Sequence, residues 1–275
     1  MRPCGDFKFA IASSTVPDLL GFSEDRSIRD RVARALDQNR VLTAYQPIAS
    51  ADGARVAFHE CLARLHWADG RPLPAAAFVP AIENTNLICR LDRAMLRNAC
   101  AVIAADPVRR LSVNLSPSTI GDAQWLAILE HAVARNAACG DLLIVEIVES
   151  TLLSLDAAAL EFLHRLRQLG CSIAIDDFGG GHSSLKHLAR FRFDFLKIDG
   201  AFVRDVASNK DHQFLIESMV NIAQHFEMVT VAEMVENRND RALLADLGID
   251  CVQGMGIGAP EIYPDWLMSI RSSSS

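Results

Sequence analysis

Carboxylate and amide side chains recur at the ends of short apolar runs along most of this chain. The runs are rich in Val, Ile, Leu and Phe, which is typical of buried strands. The polar residues that lie in or directly after them are Glu60, Asn114, Glu146, Glu149, Asp176, Asp177, Lys197, Asp199, Glu233, Glu236 and Gln253. Turn formation or helix capping explains any one of these positions. Repetition at seven successive runs instead indicates a site built from strand ends.

The chemistry that such a set supports is the binding of divalent cations. Carboxylates crowded at one place repel one another and raise one another's pKa values, and cations relieve that repulsion. Oxygen ligands suit Mg²⁺ or Mn²⁺ better than zinc. The adjacent Asp176 and Asp177 are placed to serve two ions roughly 3.5–4 Å apart. Lys197 could orient an attacking water or a phosphate oxygen, or it could form a salt bridge that neutralises the carboxylates.

A glycine-rich segment follows the paired aspartates. It reads Gly179-Gly180-Gly181-His182 and lacks the GxxxxGK[ST] form of a phosphate-binding loop. Three consecutive glycines allow backbone angles that other residues avoid. Directly after two candidate metal ligands, such a segment could act as a lid, and His182 on it titrates near neutrality.

The elements that must position these residues alternate between short strands and longer amphipathic helices. The predicted strands are Val41–Ile48, Val56–Arg64, Leu111–Leu115, Leu142–Val148, Ser172–Ile175, Phe195–Ile198, Val229–Ala232 and Cys251–Gln253. The predicted helices include residues 26–39, Leu160–Leu169, Lys210–His225 and Asn239–Leu247, of which two end at the stop glycines Gly170 and Gly248. Eight strands separated by helices predict an α/β fold, a TIM-like (β/α)₈ barrel with its active site at the carboxyl ends of the strands.

The first two predicted strands do not follow this alternation of strand and helix, because only Ala49–Arg55 joins them. That loop contains Asp52-Gly53, a hairpin signal. We therefore expect the first strand to run antiparallel to its neighbour.

Composition limits the classes of partner and the location of the protein. The 275 residues are half apolar and carry a net charge of −7, without a basic stripe, so a nucleic-acid polymer is not an expected partner. Seven widely spaced cysteines without a CxxC pair indicate reduced thiols in a cytoplasmic protein. No apolar run approaches the ~20 residues that span a bilayer. We expect an N-terminal extension over residues 1–25, one domain over 26–268 and a disordered tail over 269–275.

Taken in order, the motifs resemble one known family, the EAL domain phosphodiesterases that hydrolyse the bacterial second messenger cyclic di-GMP. The resemblance runs from about Ile28 to Trp266. The matching segments are Tyr45-Gln46-Pro47-Ile48, Glu60-Cys61-Leu62-Ala63-Arg64, Phe78-Val79-Pro80-Ala81-Ile82-Glu83, Asn114-Leu115-Ser116, Glu146-Ile147-Val148-Glu149, Asp176-Asp177-Phe178-Gly179, Lys197-Ile198-Asp199, Ala232-Glu233-Met234-Val235-Glu236 and Gln253-Gly254.

The resemblance implies a barrel with one antiparallel strand, two Mg²⁺ or Mn²⁺ ions, the linear product pGpG, a homodimer and an upstream sensor or regulatory protein. The implied metal ligands are Glu60, Asn114, Glu146, Asp176, Asp177 and Glu233. The implied catalytic residues are Lys197, which positions or activates water, with Glu233 and Gln253. The implied substrate contacts are Gln46, Leu62, Arg64, at a phosphate, and Glu236, near a guanine. The implied lid is Gly179, Gly180, Gly181 and His182, which Glu149 supports.

Several positions depart from the family pattern. Cys61 replaces an alanine and Val148 a threonine, while Gly180 and His182 alter the lid. Met234 replaces a glycine beside Glu233, and it would be strained by about 1–3 kcal/mol if that position needs a positive φ. A receptor that binds cyclic di-GMP without cutting it is therefore the second hypothesis, and a protein-binding scaffold is the third.

Overall fold

The computed structural model describes residues 25–66, 71–180 and 188–273, whose strands form one closed, helix-covered sheet. The strands are β1 (Val41–Ser50), β2 (Val56–His66), β3 (Pro72–Pro74), β4 (Leu111–Asn114), β5 (Leu143–Val148), β6 (Ser172–Phe178), β7 (Phe195–Ile198), β8 (Val229–Ala232) and β9 (Cys251–Gln253). Their order is β1-β9-β8-β7-β6-β5-β4-β2, and pairing of β1 with β2 closes the barrel. The predicted fold class and its eight strands are confirmed.

The extra strand β3 was not predicted from the sequence. It pairs antiparallel with the end of β2 and lies outside the closed barrel. Only three residues long and bounded by Pro72 and Pro74, it has no alternation of apolar and polar residues to reveal it.

The first strand has the predicted reversed direction. β1 pairs antiparallel with β2 and with β9, whereas the pairs from β2 through β4 to β9 are parallel. The hairpin loop contains Gly53 at φ +73°, a left-handed angle that favours glycine.

Helices cover the outside of the barrel. They are α1 (Asp25–Asp37), α2 (Val79–Ile82), α3 (Asn86–Ala105), α4 (Ala123–Arg135), α5 (Ala138–Asp141), α6 (Ala157–Gln168), α7 (Gly200–Val203), α8 (Lys210–His225), α9 (Arg238–Asp246) and α10 (Asp265–Ser273), with 3₁₀ turns at Ala75–Ala77, Pro117–Thr119 and Glu149–Ser154. Side chains cap the starts of the longer helices; for example, Asn209 accepts from two backbone amides at the start of α8. Gly170 and Gly248 follow α6 and α9 at positive φ, as the sequence predicted.

Inward-pointing side chains form two layers inside the barrel. The apolar layer is a buried cluster of Ile48, Phe58, Ile144, Ala174, Phe195, Val231 and Cys251. A polar residue follows each of these positions by two residues on the parallel strands and precedes it by two on β1; on β4 the buried Ser112 takes the place of the apolar residue. This polar layer comprises Gln46, Glu60, Asn114, Glu146, Asp176, Lys197, Glu233 and Gln253. Side chains two residues apart on a strand share a face. The strands that form the apolar core of the barrel therefore also position the polar side chains at its mouth.

The C-terminal helix corrects one prediction. Helix α10 covers Asp265–Ser273, so residues 269–273 of the predicted disordered tail are helical. Leu267 is buried, and Trp266 and Ile270 pack against the core, which gives this helix the contacts that hold it. The N-terminal extension before residue 25 and the lid residues Gly181 and His182 lie outside the described residues.

The described helices give no sign of a membrane span: none of them combines the length and apolarity that crossing a bilayer requires. The cysteines at 61, 89, 100, 139, 171 and 251 are free thiols, as predicted.

Candidate active site

Glu60 lies at the centre of a hydrogen-bonded group of amides in the polar layer. Asn114 Nδ2 donates to Glu60 Oε1 at 2.9 Å, and Gln253 Nε2 donates to Glu60 Oε2 at 2.5 Å. Gln253 Nε2 also donates to Gln46 Oε1 at 3.1 Å. These bonds tie strands β1, β2, β4 and β9 together and leave Gln253 Oε1 buried without a hydrogen-bond partner.

Lys197 is surrounded by carboxylates. Its Nζ lies 2.7 Å from Asp176 Oδ1, 2.7 Å from Glu233 Oε1 and 2.9 Å from Glu146 Oε2, with Glu60 Oε2 at 3.8 Å. The lysine side chain is only 1% exposed. Of the two interpretations that the sequence allowed, the salt bridge is therefore present, and its three short contacts match the three N–H groups of an ammonium.

A β-bulge brings the paired aspartates to the same side of β6. Alternation along a strand would place the Asp177 side chain opposite that of Asp176. The register with β7 shifts between Ile175 and Phe178, and Asp177 takes φ +55°. As a result, one ligand oxygen from each of Asp176, Asp177 and Glu233 lies within 4.8 Å of the others, a group that could hold a metal ion.

The predicted metal ligands thus fall into two groups. Asp176, Asp177 and Glu233 form the cluster. Glu60 instead accepts from two amides, and Glu146 accepts from Lys197. The sequence predicted that all of these carboxylates lie at one mouth, but it did not predict which of them form the cluster and which bind amides or Lys197.

The pKa values of three carboxyl groups at the mouth, Glu146, Asp177 and Glu233, are shifted upward, the direction that the sequence analysis expected. Burial raises the pKa of Glu146 to about 8, and the charges of Glu60 and Asp176 add to this, whereas Lys197 opposes it. Burial and the neighbouring Asp176 raise the pKa of Asp177 to about 6. Burial also raises the pKa of Glu233. Burial, rather than repulsion alone, is therefore the main cause.

Lys197 keeps its charge in this environment. Burial by itself lowers the pKa of its ammonium, but the carboxylates of Glu146 and Glu233 outweigh burial and raise that pKa well above its usual range. The polar layer consequently holds one permanent cation, next to two acids, Glu146 and Glu233, whose pKa values are raised.

The segment after β8 is hydrogen-bonded to β9 and to the residues that follow it. Val235 N donates to Gln253 O at 2.9 Å, and Gly256 N donates to Val235 O at 2.9 Å. A Cβ on Gly254 would lie 2.3 Å from Val235 N and from its carbonyl oxygen, so this approach requires glycine. Met234 takes φ +53°, which confirms that the position needs a left-handed backbone.

The predicted substrate contacts line the mouth from two sides. Glu60, Leu62 and Arg64 share one face of β2 because they alternate along it. Arg64 Nη1 donates to Ala63 O at 2.9 Å. On the other side, Gln46 Nε2 donates to Gly258 O at 3.2 Å, while Glu236 is exposed.

A cavity of about 410 Å³ beside the metal cluster contains residues that the sequence analysis missed. It is lined by Gln46, Glu233, Glu236 and Gln253, and also by the unpredicted Arg204, Met255 and Pro260. The signal that could have found Arg204 is its position one helical turn after Gly200, at the end of β7.

The described part of the predicted lid contacts Glu149. Glu149 is buried, and its Oε2 accepts a hydrogen bond from Gly179 N at 3.0 Å. Gly180 is exposed.

Known proteins with the same features were found by sequence and by structure. The family model of the EAL domain matches residues 29–260. "Cyclic di-GMP phosphodiesterase PdeF" of Escherichia coli (strain K12) is 32% identical over 256 residues, which cover 90% of this chain and 34% of the relative. "Cyclic di-GMP phosphodiesterase RocR" of Pseudomonas aeruginosa is 31% identical over 89% of this chain and 63% of its own length. The chain spans about a third of the length of the first curated relatives it matches.

Solved structures show the same architecture. The structure described as "PaMucR Phosphodiesterase, c-di-GMP complex" superposes with a TM-score of 0.79 at 28% identity, over 88% of this chain and 99% of that one. The FimX EAL domain from Pseudomonas aeruginosa bound to c-di-GMP gives 0.77 at 26% identity, over 85% and 96% of the two chains. The family match covers far more than half of the sequence and the folds agree, so the chain belongs to the EAL domain family.

Proposed function

We propose that this protein hydrolyses cyclic di-GMP to linear pGpG with divalent metal ions bound at the barrel mouth. The observation that carries the proposal is the cluster of Asp176, Asp177 and Glu233 beside the buried Lys197. Relatives at 31–32% identity are named cyclic di-GMP phosphodiesterases, and related EAL domains are bound to the same dinucleotide in solved structures.

The residues at the mouth fit Mg²⁺ or Mn²⁺. The donors are carboxylate and amide oxygens, the ligand type that these ions prefer. Gln253 Oε1 is buried next to this group without a partner, and burial, together with the charges of Asp176 and Asp199, raises the pKa of Asp177. Asp176, Asp177 and Glu233 would hold the first ion, and Glu60, Asn114 and Glu146 would complete a two-ion site. The ions would polarise a phosphate oxygen and lower the pKa of bound water.

The reaction is the addition of water to one phosphorus atom of the cyclic dinucleotide. A new P–O bond forms to the water oxygen, the bond from phosphorus to the ribose 3′ oxygen breaks, and that oxygen takes up a proton. Lys197 holds Glu146, Asp176 and Glu233 in place through its ammonium and would position the water by way of these carboxylates. Gln253 orients Glu60.

Substrate binding uses the residues that rim the polar layer. Arg64 would contact a phosphate, because a guanidinium offers paired donors to phosphate oxygens. Gln46 and Leu62 would flank the dinucleotide, and Glu236 would accept from a guanine. Glu149 would order the lid that begins at Gly179, through the bond to the Gly179 amide.

A turnover assay tests the proposal. Purified protein is incubated with cyclic di-GMP and either Mg²⁺ or Mn²⁺, and the products are separated chromatographically. We expect pGpG to form, excess chelator to abolish it, and Glu60→Ala to lose it. Glu130→Ala removes an exposed carboxylate paired with Arg165 outside the mouth and serves as the matched control. Full turnover in excess chelator would refute metal dependence.

Binding without cleavage is the second candidate function. The observation that favours it is the left-handed backbone of Met234 directly after Glu233, which could tilt a metal ligand. Calorimetry that detects tight binding of cyclic di-GMP, together with no pGpG in the turnover assay, would decide for a receptor.

We further propose a cytoplasmic homodimer under the control of an upstream sensor or regulatory protein. The relatives are about three times as long as the matching region, which leaves room for such a partner domain in them. Residues 26–268 would form the phosphodiesterase domain and residues 1–25 an extension of it. Light scattering of the purified chain measures the oligomeric state.

A further inference from the structure

Met234 lies directly on Gly200 at the edge of the cavity beside the metal cluster. A Cβ on Gly200 would lie 2.5 Å from Met234 Cγ, 2.6 Å from its Sδ and 2.7 Å from its Cβ. The methionine therefore occupies space that any side chain at position 200 would need. Held there by its left-handed backbone, Met234 remains 55% exposed and presents an apolar surface to the cavity.

Arg204 lies one turn of α7 beyond this contact. Its backbone N donates to Gly200 O at 2.9 Å, so residues 200 and 204 lie on the same side of the turn. Arg204 lines the same cavity as Met234, Glu236 and Met255. Its guanidinium is exposed and forms no ion pair with the carboxylates that the structure describes.

We propose that Met234 and Arg204 form a subsite that binds and reads a guanine base, Met234 as the apolar support for its ring and Arg204 as the donor to its O6 and N7 atoms. The inference rests on the proposed function, because it names the residues that select the substrate. Guanine presents two acceptors, O6 and N7, on one edge, which match the paired donors of arginine. Adenine presents an amino donor in place of O6, so Arg204 disfavours it.

The surroundings of Arg204 suit a base rather than a phosphate. Met255, which is 66% exposed, and Pro260 add apolar surface to the cavity. Glu236 lines the same cavity. Its carboxylate repels phosphate but can accept hydrogen bonds from the N1–H and N2–H groups of guanine. A thioether against an aromatic ring is a favourable contact. The proposed phosphate contact is Arg64, which lies on β2 at the other side of the mouth.

The test compares cyclic di-GMP with cyclic di-AMP on the wild type and on Arg204→Ala, by calorimetry and by turnover. We expect Arg204→Ala to weaken binding of cyclic di-GMP roughly tenfold or more and to leave cyclic di-AMP unchanged. In turnover, KM rises while kcat stays near the wild-type value. Arg204→Lys keeps the charge without the paired donors and should restore little of the loss.

Two further variants separate the parts of the subsite. Met234→Ala keeps a non-glycine residue at the positive φ, so it removes the support without changing the backbone requirement. It should weaken both dinucleotides, by roughly twofold to tenfold. Arg97→Ala removes another exposed arginine that does not line this cavity and should change neither affinity.

Equal loss of affinity for both dinucleotides in Arg204→Ala, or full recovery in Arg204→Lys, would assign Arg204 to a phosphate and overturn the base subsite. Unchanged affinity in Arg204→Ala would overturn it as well. Selective binding of cyclic di-GMP that Arg204→Ala abolishes, in a protein without turnover, would support the subsite while the proposed hydrolysis fails.

Discussion

The two inward-facing layers of the barrel are built by the same strands and face the same interior, yet they differ in almost every physical property. The apolar layer is a closed cluster, held by contacts such as the edge-to-face pair of Phe58 and Phe195 with ring centroids 5.4 Å apart. Two residues along the strands, the polar layer holds Lys197 within 4.0 Å of four carboxylates. A shift of 2 residues, about 6.6 Å of strand, separates a hydrocarbon core from a charged site.

The two layers are stabilised by different interactions. Burial of hydrocarbon stabilises the apolar layer without any requirement for partners. Burial of charge destabilises the polar layer unless every charge has a partner. Disruption of the apolar layer should therefore reduce stability and leave turnover per folded molecule intact. Disruption of the polar layer should abolish turnover.

The largest expected effect is that of Lys197→Met. The variant leaves Glu146, Asp176 and Glu233 without their shared cation, and we expect turnover to fall on the order of 10³-fold. Removal of one partner from a buried charge group also costs about 3–5 kcal/mol of stability. Rates are measured per folded molecule, with the folded fraction taken from circular dichroism. Lys210→Met removes an exposed lysine and should match the wild type; an active Lys197→Met would contradict the role of the ammonium.

The next effect is that of Phe195→Ala in the apolar layer. Truncation of this buried ring should cost about 3–5 kcal/mol in urea unfolding, with turnover per folded molecule close to the wild-type value. Val229→Ala makes a truncation in a neighbouring strand, at a side chain that is 36% exposed, and should cost under about 1 kcal/mol. Loss of turnover without loss of stability in Phe195→Ala would show that the two layers are not independent.

The smallest effect is a dependence of stability on pH that comes from buried acids at the barrel mouth. Burial raises the pKa of Glu146 to about 8 and that of Asp177 to about 6, above their values in an unfolded chain. Between about pH 6.5 and pH 8 the folded protein therefore binds more protons than the unfolded one through Glu146, so stability falls as pH rises. Below about pH 6.5, His59, whose pKa burial lowers to about 4, contributes with the opposite sign.

Thermal unfolding in excess chelator measures this slope. Glu146→Gln mimics the protonated acid and should flatten the slope, most clearly in the upper part of the window. A melting temperature that rises between about pH 6.5 and pH 8 in chelator would contradict the raised pKa of Glu146.

Most of the fold was predictable because its signals are local. Apolar runs, stop glycines such as Gly170 and Gly248 and the hairpin signal Asp52-Gly53 depend on neighbours in the sequence. The pairing of Lys197 with three carboxylates could only be offered as one of two alternatives, since both interpretations use the same residues.

The parts that escaped prediction depend on geometry between distant segments. The bulge at Asp176 and Asp177 is a register shift against β7, and no residue type in β6 specifies it. Arg204 belongs to the cavity because of its place after Gly200, and the tail residues 269–273 are helical because Leu267 and Ile270 pack on the core. Each depends on contacts between segments that are distant in the sequence, which the local pattern of apolar residues does not predict.

The reversed direction of β1 has a consequence for how this domain tolerates change. Because β1 runs away from the mouth, its connection to β2 (residues 51–55) emerges at the opposite end of the barrel from the polar layer. Residues 52–55 of that connection are exposed. Insertions, fused segments or affinity labels placed in this loop would extend from the end of the barrel opposite the candidate active site. The length of the loop can therefore change without contact with the residues of that site.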